Sequence, residues 1–77
     1  MNDRHWMRHA LRLAADAALL DEVPVGAVLV SAEGVLLGAA HNRVREDRDP
    51  SAHAEVLCIR EAARLSGNYR LEGCTLY

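Results

Sequence analysis

Apolar residues recur at helical spacing near the start of the chain. Met7, Ala10, Leu11, Ala14, Ala17 and Ala18 share one face, with Arg4, Arg8, Arg12 and Asp16 opposite. Asn2 or Asp3 can cap this segment, so the pattern predicts a helix to about Leu20 that packs on a sheet. Trp6 sits near its start, and His5 and His9 read as solvated. Asp21-Glu22-Val23-Pro24 breaks the pattern. Val25 then runs to Ser31 without alternation, as expected for a strand covered on both faces. Gly26 in that strand invites close approach by a helix or a ligand. Ala32-Glu33-Gly34 predicts a hairpin turn, and Val35 to Ala40 returns as an antiparallel second strand.

His41 to Asp49 is a long polar loop, and a second helix follows. Asp49 or Ser51 can cap it, Pro50 suits its first turn, and His53 and Glu55 fall in that turn. From Ala54 to Leu65 the apolar residues cover most of the circumference, and only Arg60, Glu61 and Arg64 mark a wet side. A helical wheel places Glu55 within the apolar arc, between Ala62 and Ile59. A carboxylate aimed at a core is costly unless it is paired, protonated or set against a metal. Ser66-Gly67-Asn68 ends the helix, with Gly67 at the cap. Tyr69 to Gly73 then link to a third strand from Cys74 to Tyr77.

Seventy-seven residues allow one small domain with a modest core. Hydrophobic content of 51% argues against disorder. A formal net charge of −2 excludes nucleic-acid binding by charge alone. Two cysteines without a secretory signal point to a reducing, cytoplasmic setting, and no stretch is long enough to span a membrane. Cys58 and Cys74 both read as core residues rather than metal ligands. The amide of Asn42 offers a donor and an acceptor, which suits reading a base edge, although on the residues alone a turn-forming Asn is the favoured reading. Arg43, Arg45 and Arg48 suit RNA phosphates or, with their acidic neighbours, a self-paired loop.

Four blocks narrow the chemistry. They are Glu22-Val23-Pro24-Val25-Gly26-Ala27-Val28, His41-Asn42-Arg43, Asp49-Pro50-Ser51-Ala52-His53-Ala54-Glu55 and Asn68-Tyr69-Arg70-Leu71. In this order and spacing, from about His5 to Tyr77, the chain resembles the first half of a bacterial-type tRNA-specific adenosine deaminase of the zinc-dependent cytidine and deoxycytidylate deaminase superfamily. His53-Ala54-Glu55 resembles the His-x-Glu half of the zinc signature. The other half, Pro-Cys-x-x-Cys, is absent.

The resemblance implies a three-layer α/β/α fold around a mixed sheet, here truncated to helix-strand-strand-helix-strand. Residues 1–77 would be the N-terminal part of a single deaminase domain. It implies one Zn2+ per subunit of the complete enzyme, with His53 as the nitrogen ligand and Glu55 as the proton shuttle. It assigns substrate binding to Asn42, Ala54, Val23 and Glu22. The implied reaction is hydrolytic deamination of adenosine to inosine at the tRNA wobble position, in a cytoplasmic homodimer that binds the anticodon loop. Since two cysteine ligands are missing, this chain alone is expected to bind zinc weakly and not to deaminate. The alternatives are a deaminase of guanine or cytosine, and a non-catalytic subunit that pairs with a complete partner.

Overall fold

In a computed structural model, which describes residues 2–77, the chain forms helix α1 (Asp3–Leu19), strands β1 (Gly26–Val30) and β2 (Leu36–His41), helix α2 (Ala54–Ser66) and strand β3 (Thr75–Leu76). This is the expected helix-strand-strand-helix-strand order. The sheet order is β2-β1-β3, and both pairings are antiparallel. The mixed sheet implied by the resemblance has no parallel pair among the described residues.

Strand β1 is central and covered on both faces. Val28 and Val30 point to α1 and pack with Ala10, Trp6, Leu13, Ala39 and Tyr77. Ala27 and Leu29 point the other way, to Ala54, Cys58 and Ala62 of α2. The layers are therefore α1, sheet and α2, which explains why the strand shows no polar alternation. Two glycines let the helices sit close. A Cβ on Gly26 would stand 2.1 Å from the Ala10 carbonyl oxygen, and one on Gly38 2.5 Å from that of Cys58. Gly26 thus admits a helix rather than a ligand.

Turn chemistry sets the boundaries. Asn2 caps α1, its side chain accepting the His5 N–H. Ser31 closes the hairpin: its Oγ accepts the Val35 N–H, and Gly34 takes φ +82°. The register slips between Leu29 and Val30, so Leu37 is the extra residue of a bulge. Gly67 ends α2 in the left-handed conformation at φ +69°.

One expectation needs correction. The buried stripe of α1 is Ala10 and Ala17, with Trp6 and Leu13 packed beside them, whereas Met7, Leu11 and Ala18 are exposed. The close approach at Gly26 turns the Ala10–Ala14 backbone toward the sheet, and Met7 and Leu11 are left lining an open groove with Thr75 and Tyr77. His5 is exposed, as expected, and His9 is half-buried; their rings flank the Trp6 ring at centroid distances of 4.7 and 6.3 Å.

Candidate functional site

The site is built at the start of α2. His53 is the N-cap in extended conformation, and its side chain makes no capping bond. It lies just outside the first turn rather than in it. Neither Asp49 nor Ser51 caps the helix. Asp49 is occupied by its own turn, where Oδ1 accepts from the Ser51 N–H at 2.9 Å and from Ser51 Oγ at 2.7 Å. These bonds hold the Asp49 carboxyl below the usual carboxylate range.

The capping bond comes instead from twelve residues upstream. Asn42, only 4% exposed, accepts the Ala54 N–H on Oδ1 at 2.8 Å. Its own backbone N–H is pinned to the Val25 carbonyl, just before β1, at 3.0 Å. With Oδ1 engaged, the Asn42 Nδ2 group has no partner among the described residues. The N–H groups of Glu55 and Val56 likewise have no acceptor there. Together with the helix dipole, they make this end receptive to negative charge. One bond thus brings Asn42, His53, Ala54 and Glu55 to a single helix end.

Glu55 is exposed, not turned into the core as its place in the apolar arc implied. The sheet covers only the row Ala54, Cys58 and Ala62, and Glu55 and Ile59 lie one step round the helix. The wheel could not separate a face covered by this sheet from a face left open.

Glu22 and Val23 lie in the connection from α1 to β1. Val23 is exposed. Glu22 is buried, and its two oxygens accept the backbone N–H groups of Arg45 at 3.1 Å and Glu46 at 2.7 Å. The polar loop is largely self-paired. Arg43 Nη2 meets Asp47 at 3.1 Å and Glu46 at 3.6 Å, and Arg45 Nη1 meets Asp21 at 3.0 Å. The bond to Asp47 holds the Arg43 guanidinium pKa above its ordinary value. Sequence reasoning missed the Glu22 and Asn42 bonds because their partners are backbone N–H groups, which no side-chain pattern reveals.

As a metal site the arrangement is partial. No group of three His, Cys, Asp or Glu side chains converges among the described residues. Cys58 is fully buried, and burial pushes its thiol up to about 11, unlike a ligand thiolate. Cys74 packs against the α2-side core, and its Sγ lies 3.8 Å from the Glu72 carbonyl. The residues present fit one ligand position, at His53, and not a complete set.

The chain as a whole is similar to known proteins. The family described as the cytidine and deoxycytidylate deaminase zinc-binding region matches residues 1–77. A tRNA-specific adenosine deaminase from Aquifex aeolicus is 48% identical over 77 residues, covering all of this chain and 50% of that protein. A solved structure from work on A-to-I editing by tRNA deaminases at the wobble position superposes with a TM-score of 0.91 at 46% identity. It is covered to 53%, over 96% of this chain. The guanine deaminase of Bacillus subtilis gives a TM-score of 0.93 at 37% identity, over 100% of this chain and 49% of that one. The chain thus spans about half the length of the bacterial tRNA-specific adenosine deaminases it matches.

Proposed function

The chain belongs to the cytidine and deoxycytidylate deaminase zinc-binding family, and from this premise we propose that residues 1–77 are the N-terminal part of a single deaminase domain whose whole protein converts adenosine to inosine at the tRNA wobble position. The observation that carries this reading is the convergence of Asn42, His53 and Glu55 on one helix end. The identity to the Aquifex aeolicus tRNA enzyme along the whole chain supports the choice of substrate.

Zinc, when bound, supplies a water acidic enough to attack near neutral pH. His53 would hold it through a ring nitrogen, presented from the N-cap, and further ligands must come from outside residues 1–77. Glu55, exposed in the first turn, takes up a proton on its carboxylate. It delivers that proton to the ring nitrogen beside the attacked carbon, then takes a second proton from the hydroxyl added to that carbon and passes it to the amine, which leaves as ammonia. Asn42 donates from Nδ2 to an acceptor on the base edge, because its Oδ1 is already committed. Ala54 and Val23 line the base, and the loop from His41 forms the wall. The base must leave its stack to reach this end, which a single-stranded anticodon loop permits.

The reading extends to a cytoplasmic homodimer. The exposed Ile59 and Leu65 on α2 support a further packing surface. No helix of the described residues is long and apolar enough to cross a membrane.

The likeness to a guanine deaminase favours one second reading, a free purine base as substrate. One assay separates the two. The full protein is given an anticodon stem-loop RNA with adenosine at the wobble position and, separately, guanine and cytidine. Inosine from the RNA alone is the expected result, and turnover of a free base with none of the RNA overturns it. Glu55→Gln should lower kcat by roughly 10²–10⁴-fold while zinc content stays unchanged. An active Glu55→Gln protein removes Glu55 from the chemistry.

A further inference from the structure

Both oxygens of the Glu22 carboxylate are engaged by loop N–H groups, and the residue is 6% exposed. It has no face left for a base. Its backbone is fixed as well: the Glu22 N–H donates to the Ala17 carbonyl at 3.0 Å, next to Asp21 at φ +63°. Glu22 therefore ties the end of α1 to the loop that carries the site wall. The same loop is attached at two other points, through Asn42 N–H to the Val25 carbonyl and Arg43 N–H to the Ala52 carbonyl at 2.9 Å. Removing the Glu22 clamp leaves Arg45 and Glu46 N–H groups without acceptors directly after Asn42 and Arg43. The ion pair of Arg45 with Asp21 is exposed and cannot replace it.

We infer that Glu22 is a positioning residue that acts through Asn42: its buried carboxylate fixes the 42–46 segment so that the Asn42 amide holds one orientation toward the substrate base. This rests on the reading of Asn42 given above, and deepens it by giving Glu22 an indirect role in place of base contact.

The test is a double-mutant cycle in the full protein, with an anticodon stem-loop RNA as substrate. Glu22→Gln keeps the volume but sets an NH2 group against one of the two N–H donors, so one bond is lost. It should raise KM about tenfold, with kcat changed less than about twofold. In an Asn42→Ala background the same change should add less than about twofold, because the residue it acts through is gone. Amide exchange at Arg45 and Glu46 should quicken in Glu22→Gln. If Glu22→Gln fails to fold, Glu22→Asp, which keeps the charge and shortens the reach, is measured in its place. Equal effects of the Glu22 change in both backgrounds, or unchanged protection of the two amides, overturn the inference. If Asn42→Ala alone leaves KM untouched, the Asn42 assignment falls. Faster exchange at Arg45 and Glu46 would still establish the clamp itself, so the two failures are distinguishable.

Discussion

Cys58 sits at the contact between α2 and the sheet with no exposed surface, and burial moves its thiol from the ordinary 9.0 to about 11. The neutral thiol is the form the fold prefers. Its contribution is complete below pH 9, where both folded and unfolded chains hold the proton. It is lost as pH rises toward 11, where only the unfolded chain gives the proton up. The expected loss is roughly 3 kcal/mol across that window. Urea midpoints from pH 8 to 11 should fall more steeply for the natural chain than for Cys58→Ala, and parallel curves would contradict the assignment. The core role of Cys58 was legible from its place in the apolar arc. That of Asn42 as the cap of α2 was not, because the donor it meets is twelve residues away and Asp49 and Ser51 offered nearer candidates. Asn42→Ala leaves the Ala54 N–H unpaired at a buried spot and should cost about 1–3 kcal/mol in a denaturant titration. A loss near zero would mean that water replaces the amide.

All five elements could be read from the sequence in order, because each carries its own period and its own punctuation: Asn2 before α1, Ser31 to Gly34 between β1 and β2, Gly67 after α2. The rotation of α1 was not legible. Hydropathy ranks Met7 and Leu11 above Ala10 and Ala14, but Gly26 removes the side chain that would hold α1 off and admits the small residues instead. The same sterics make a prediction about the element. Gly26→Ala places a methyl group 2.1 Å from the Ala10 carbonyl oxygen, between two backbones that must both move. It should destabilise the protein by about 2–3 kcal/mol or more. Gly34→Ala meets no neighbouring atom and carries only the strain of a positive φ, about 1–2 kcal/mol. A Gly26→Ala protein as stable as Gly34→Ala, by urea unfolding, would show that α1 does not sit where described.

Across the molecule, the largest fully buried side chains are only Val28, Val30 and Cys58, while Met7, Leu11, Leu20, Ile59 and Leu65 remain exposed. The exposed large apolar groups support the proposal that residues 1–77 pack against more protein, and the tRNA-specific adenosine deaminases of Aquifex aeolicus and Buchnera aphidicola are about twice as long. His53 and Glu55 stand at one helix end, and no group of three His, Cys, Asp or Glu side chains forms among the described residues. The place of Cys58 in the core rather than at a metal was legible from the apolar arc, and its complete burial agrees. The most direct test is zinc per chain by elemental analysis, on the full protein, on its His53→Ala variant and on residues 1–77 alone. The account predicts about one zinc in the full protein, as expected for a three-ligand catalytic site, and far less in the other two. Stoichiometric zinc in His53→Ala, or tightly held by residues 1–77 alone, would contradict it.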